Sequence, residues 1–316
     1  MKIAVCLSGQ WRTGNYCYDN LKRFFGILYP YCDFFIHTWD VNKQKCYNLS
    51  NVFSKEAKLT DDEISELKNK YKPKKIVIEN YYQTHETLKR YEPSIYVDIK
   101  FFDIIQPLWY SFWKSIQLKK QYEIENGFEY DYVIKLRPDV VFSTDRRLVQ
   151  DIELYKDEID AGEFYIENLM REWTIDSTTV DDVYFLSKSY QMDIAAEYYT
   201  KWIEWGIIDS PLYPFYGFLR HSVLNDLKIC KFKKRYLGGE YGYVVQRPEC
   251  LEYGNMTLKE YRDCQCCEDY YYGNPIDNPK TPKGFYIDYI KSKYEIDNES
   301  VYYIEDLIEI KSKKLI

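Results

Sequence analysis

The chain has 316 residues, 46% hydrophobic and 29% charged, a balance that excludes a disordered segment and suits one large α/β domain or two small ones. No apolar run approaches the length of about 18 residues expected of a membrane-spanning helix. A net charge of −7 excludes wholesale binding to a nucleic-acid backbone.

In chain order, Lys2–Leu7 predicts a short buried strand broken by Ser8-Gly9. Its apolar run is too short for a secretion signal, so the nine cysteines are expected as reduced thiols in a cytoplasmic protein. Tyr16–Leu28 has helical spacing, with Tyr18, Leu21, Phe24, Phe25 and Leu28 on one face. Cys32–Thr38 predicts a second strand. Thr60 to Glu63 is a capping box that opens a helix to about Lys70, and Lys75–Glu79 predicts a third strand. This alternation argues for a parallel sheet with crossover helices.

Residues 81–103 are polar, aromatic and irregular. Pro107 is expected at the start of a strong helix that Gly127 stops. Tyr132–Leu136 predicts a fourth strand, ending in Arg137-Pro138-Asp139. Short strands are expected at Phe164–Ile166 and Val183–Leu186, helices at 189–205 and 214–228, and closing strands at Cys230–Tyr236 and Tyr243–Gln246. Past residue 250 the texture changes. The stretch 251–316 holds ten tyrosines and few aliphatic residues, which predicts an extension packed on a main domain of residues 1–250.

Ligands of open α/β sheets bind at the carboxyl ends of strands, so the residues that follow each strand are the candidates. Ser8-Gly9 is either an ordinary turn or a close approach for phosphate, and Arg12 either faces solvent or clamps a diphosphate. Asp139 can hold a hard divalent cation, cap a turn or pair with Arg137. His37, Trp39 and Asp40 together suit hydrogen bonding to and stacking on a sugar, although a structural histidine reads equally well. Asp181 and Asp182 precede a strand, where at most one of the two enters a pocket directly, as a general base or to bind a hydroxyl; a helix cap or turn pair is the other reading. Lys114 or Ser111 on the Pro107 helix can reach a pocket edge, while Trp109, Phe112 and Trp113 suit a core. Cys264, Cys266 and Cys267 lack the paired spacing of a structural zinc site.

Taken in order, Ser8-Gly9, His37-Thr38-Trp39-Asp40, the stretch from Asp131 to Asp139 and Asp181-Asp182-Val-Tyr-Phe resemble a group of GT-A glycosyltransferases. These are the bacterial WavE-like lipopolysaccharide enzymes and related proteins of phages and large viruses. The resemblance covers about residues 1–250 and is most specific at 131–142 with 181–186. It implies a GT-A-like, Rossmann-like, mostly parallel central sheet flanked by helices. It also implies a nucleoside-diphosphate-sugar donor, Mn2+ or Mg2+, and transfer of a hexose to a hydroxyl of a glycan or lipid-linked glycan. UDP-glucose leads as donor because UDP-sugars are common among such enzymes. For a virus-encoded protein, the location implied is the host cytoplasm.

By the same resemblance Ser8, Gly9, Arg12, Lys114, Arg137 and Asp139 contact the donor, and His37, Trp39 and Asp40 the acceptor. Asp139 takes the metal, and Asp181 or Asp182 takes the catalytic role. Arg137 stands where such enzymes carry the first carboxylate of Asp-x-Asp, and its charge can partly replace that of a metal. Two alternatives stay open. A nucleotidyltransferase would carry a glycine-rich basic loop after the first strand, which this sequence lacks. A catalytically impaired nucleotide-sugar or glycan-binding module would fit Arg137 and the lack of an acceptor-side glutamate in Tyr213–Leu219.

Overall fold

The structure, a computed structural model, describes residues 1–48, 51–88, 99–142, 146–166, 183–201, 218, 221–222, 224–231 and 243–245. The expectations for Asp181, Asp182, the three clustered cysteines and the extension 251–316 lie outside the described residues.

Strand β1 (Ile3–Ser8) is buried along its whole length, as a parallel strand covered on both faces must be. Helix α1 (Gly14–Phe25) stops earlier than its apolar spacing predicts. Gly26 takes a positive φ of 54°, and a 3-10 helix, Gly26–Tyr31, carries the chain into β2 (Cys32–Trp39). A hairpin of β3 (Val41–Asn48) and β4 (Asn51–Lys58) follows. Helix α2 (Asp61–Tyr71) opens on the expected capping box of Thr60 and Glu63, and β5 (Lys75–Glu79) has the expected bounds.

The segment expected to be irregular contains α3 (Tyr81–Leu88). Two side chains start that helix: Asn80 Oδ1 accepts the Gln83 N–H and Asp40 Oδ1 accepts the Tyr81 N–H, each at 2.8 Å. Pro107 lies inside α4 (Ile99–Asn126) rather than at its start. Proline removes one interior hydrogen bond, but the turns that follow bury Trp109, Phe112 and Ile116 against the sheet, and tertiary packing overrides the local signal. After β6 (Tyr132–Leu136) come β7 (Val140–Phe142) and α5 (Leu148–Asp160), then β8 (Glu163–Ile166) and β9 (Tyr184–Ser187). Helix α6 (Ser189–Lys201), β10 (Lys228–Lys231) and β11 (Tyr243–Val245) complete the described elements. The expected helix 214–228 therefore ends earlier, since Lys228 opens β10.

Among the described residues the main sheet has seven strands in the order β10-β8-β9-β6-β1-β2-β5. All neighbours are parallel except β9, which runs antiparallel to both β6 and β8. A mixed α/β fold with a mostly parallel sheet flanked by helices is thus present, as the GT-A-like reading predicts. Tyr243–Val245 does not close this sheet; β11 pairs with β7 in a small antiparallel ribbon.

Two cores sandwich the sheet. Ile3, Val5 and Leu7 of β1 face Leu21, Phe24, Leu67, Leu148 and Ile152 from α1, α2 and α5. Ala4 and Cys6 point the other way, toward Phe112 and Ile116 of α4 and Ala195 of α6. Buried Lys119 ties α4 to α6 by pairing with Asp193 at 2.7 Å, and it also pairs with Glu123 of its own helix at 2.8 Å. The strand order reverses between β1 and β6, a topological switch point, and in open α/β sheets ligands bind at the carboxyl ends of the strands there.

Candidate functional site

The loop leaving β1 is fixed at each step. Gly9 adopts a φ of 120°, a backbone conformation that only glycine takes at low cost, and its N–H donates to Ser111 Oγ of α4 at 2.7 Å. Trp11 is buried, and its indole N–H donates to Asn15 Oδ1 at 3.0 Å. The indole fills the space a side chain on Gly14 would need, with ring carbons 2.6–2.9 Å from that position. Arg12 has a φ of 37°, a left-handed conformation that costs a non-glycine residue about 1–3 kcal/mol. Asn42 Oδ1 holds it there by accepting the Arg12 N–H at 2.8 Å.

That conformation aims the Arg12 guanidinium at the end of β6. Arg12 Nη1 donates to Asp139 Oδ2 at 3.0 Å, and Arg12 Nε to Gln10 Oε1 at 3.1 Å. From its own strand end, Arg137 grips the same carboxylate through Nε to Oδ1 and Nη2 to Oδ2, both at 3.0 Å. The Asp139 side chain is 1% exposed and each arginine side chain 14%. Pro138 packs beside Gly9, so the two strand ends meet at the switch point. Of the residues expected at the donor, Arg12, Arg137 and Asp139 are in direct contact, Gly9 lies beside Pro138, and Lys114 pairs elsewhere, with Glu79.

Both oxygens of Asp139 are engaged by guanidinium groups. A divalent cation on either oxygen would sit against two positive charges within a few ångströms. Among the described residues, no group of three or more His, Cys, Asp or Glu side chains converges to hold a metal. The donor set at Asp139 therefore does not fit Mn2+ or Mg2+ in this arrangement. It fits an anion, for which the planar, permanently charged guanidinium is suited.

The other predicted residues form a second cluster, around the ends of β2 and β5. His37 and Trp39 are buried. Trp39 stacks on Tyr110 at 5.6 Å between centroids and meets Tyr81 edge-on at 5.4 Å. Asp40 caps α3 and also accepts the Asn80 amide at 2.8 Å. Lys114 Nζ pairs with Glu79 Oε1 at 3.1 Å. These contacts give His37, Trp39 and Asp40 packing and capping work.

Glu79 organises this cluster. The sequence does not single it out, although it ends a predicted strand, where ligand contacts are expected. Its Oε2 accepts the Tyr110 hydroxyl at 2.8 Å and lies 3.8 Å from His37 Nε2. Burial alone would lift the Glu79 carboxyl, but His37, Tyr110 and Lys114 outweigh it and hold the group at about 2. Burial pushes the His37 imidazole below its ordinary range, against the pull of Glu79.

Ser111 joins the two clusters. Its Oγ lies 2.8 Å from His37 Nδ1, 3.3 Å from the His37 carbonyl and 2.7 Å from the Gly9 nitrogen. With a carboxylate facing Nε2, the tautomer protonated at Nε2 is favoured, so Nδ1 accepts from the serine hydroxyl. Ser111 and His37 are both fully buried, which bars the serine from attacking a substrate. Their function here is to fix the Gly9 turn. Past the end of β6, the Arg137 N–H donates to the carbonyl of Val183, the residue before β9, at 3.2 Å.

No family model matches the chain, and no curated protein matches it. Among solved structures, it is similar to a cytidylyltransferase from Leptospira borgpetersenii serovar Hardjo-bovis at 11% identity and a TM-score of 0.39, covering 96% of this chain and 100% of that one. It is also similar to mouse xyloside xylosyltransferase 1, apo form, at 6% identity and a TM-score of 0.37, covering 73% of this chain and 84% of that one. At such values neither likeness speaks to ligand or reaction.

Proposed function

We propose that the chain is a glycosyltransferase that moves a hexose from a nucleoside-diphosphate sugar, with UDP-glucose the leading donor, to a hydroxyl of a glycan or lipid-linked glycan. The observation that carries this reading is the meeting of Arg12 and Arg137 on buried Asp139 at the switch point of the sheet. A switch point is where open α/β sheets bind nucleotides, and guanidinium pairs bind phosphate. The motif order across residues 1–250 turns that anion site toward nucleotide sugars.

In the transfer, the bond from the anomeric carbon to the diphosphate oxygen breaks as positive charge grows on the sugar ring. Negative charge grows on the leaving diphosphate, and the arginines stabilise it there. The acceptor hydroxyl attacks the anomeric carbon and gives up its proton. In an inverting reaction Asp182 or Asp181 receives that proton; in a retaining one the departing diphosphate oxygen receives it, and the same carboxylate orients the acceptor or stabilises the cation. Supporting that assignment, Val183, the residue after the pair, bonds through its backbone to Arg137.

The test is a screen of UDP-, GDP- and CDP-sugars for release of free nucleoside diphosphate, with and without glycan acceptors. Release of UDP from UDP-glucose is the expected result. Binding of nucleotide sugars with no release under any condition would make the chain a binding module instead.

A further inference from the structure

We infer that the diphosphate of the donor is held without a divalent cation: Arg12 and Arg137, anchored on the two oxygens of Asp139, supply the positive charge that a carboxylate-bound metal would otherwise bring. The inference rests on the nucleotide-sugar reading above and goes beyond it, by assigning the charge at the leaving group to this chain's own side chains.

Three observations carry it. First, Asp139 accepts three hydrogen bonds from the two guanidinium groups, at 3.0 Å each, so a metal on this carboxylate would displace an arginine or face it directly. Second, the Arg137 contact is a two-bond fork across Pro138, whose ring restricts the intervening backbone. The carboxylate thus holds the guanidinium plane at the strand end. Third, the chain accepts a left-handed backbone at Arg12, pinned by Asn42, and this conformation accompanies the reach of Arg12 Nη1 to Asp139. A solvent-facing arginine would need no such conformation. In this arrangement Asp139 is a positioning residue. The groups that touch the diphosphate are the arginines, whose side chains are each 14% exposed while that of Asp139 is 1% exposed.

The experiment is calorimetric titration of the full chain with UDP, and with UMP, in buffer containing EDTA and again with Mn2+ or Mg2+ in place of EDTA. The expected result is UDP binding in EDTA, stronger than UMP binding and changed less than about threefold by either metal. In the same EDTA buffer, Arg12→Gln and Arg137→Gln should each weaken UDP by about tenfold to a hundredfold, the range of a lost charge-assisted hydrogen bond, and narrow the gap between UDP and UMP. Thermal melts confirm that each variant is folded, and the wild-type comparison needs no variant at all. UDP binding that arises only on adding Mn2+ or Mg2+ overturns the inference and leaves the nucleotide-sugar reading standing. Absence of UDP binding in both buffers overturns the two together.

Discussion

Arg137 and Asp139, separated by Pro138, grip each other through two parallel hydrogen bonds, Nε to Oδ1 and Nη2 to Oδ2, both 3.0 Å long. Arg12 adds a third bond from a different strand end. Sequence position alone suggests an exposed carboxylate ready for a cation; the fold instead buries Asp139 beneath two arginines.

Asp139→Ala should therefore destabilise the protein by about 2–4 kcal/mol, because it leaves two largely buried guanidinium groups without their carboxylate. Asp139→Asn, which keeps one acceptor oxygen, should lose less. Urea unfolding of the three proteins checks this. A loss below about 0.5 kcal/mol for alanine, the range of an ordinary surface change, would contradict the buried pairing.

Gly14→Ala should cost about 1–3 kcal/mol through overpacking against Trp11. The added methyl would lie 2.6–2.9 Å from three indole carbons, and that indole is held by Asn15 and by an edge contact with Tyr71 at 5.2 Å. A rigid ring cannot yield as the tip of a flexible chain does. Thermal unfolding measures the effect, and a melting temperature equal to that of the parent would mean the ring moves freely.

How much of this was legible in the sequence depended on how local each signal was. The capping box at Thr60 and the apolar strands Lys75–Glu79 and Tyr132–Leu136 act within their own segments, and they fold where they read. Helix α5 is also legible, with Leu148, Ile152, Tyr155 and Ile159 spaced on one buried face. The interior position of Pro107 was not legible, because long-range packing decides it. At the site, switch-point logic pointed to the strand ends that carry Gly9, Arg12, Arg137 and Asp139, where Arg12, Arg137 and Asp139 do meet. It could not reveal that Asp139 faces arginines, since the Arg12 contact spans 127 positions and depends on one left-handed residue. Glu79 and Ser111 gain their importance from a pairing between α4 and the ends of β1, β2 and β5 that no single segment encodes.

Stability should fall as the pH drops below about 6.5. His37 and His221 are both held below their ordinary range, first by burial. Glu79 pulls His37 upward and Lys114 pushes it down, while His221 donates Nε2–H to the Ile194 carbonyl at 2.7 Å and faces the Asn225 amide at Nδ1. Each takes up its proton more readily when unfolded. The unfolded state therefore binds more protons below about pH 6.5, and stability rises with pH across that window. Glu79 adds a second loss at lower pH: the stability it provides above its unfolded value near 4.5 disappears as the pH falls toward about 2. Urea midpoints between about pH 7.5 and about pH 5 should decline, and less steeply in His221→Gln. A flat profile would mean that neither imidazole is held neutral by the fold.

Ser111→Ala should weaken both stability and nucleotide binding, and in a linked way. The substitution removes the acceptor of the Gly9 N–H and the partner of His37 Nδ1, two groups in the interior between β1, β2 and α4. Each buried polar group left unpaired costs about 1–3 kcal/mol. The Gly9 turn then loses its tie to α4, just ahead of the loop that presents Arg12, so UDP affinity should fall even in the fraction that remains folded. Ser111→Thr keeps the hydroxyl and should restore part of the affinity if the extra methyl fits. Calorimetric titration at a temperature well below each variant's melting point separates the two effects. If Ser111→Ala melts lower yet binds UDP as the parent does, Ser111 serves packing alone and the Gly9 turn needs no support from α4.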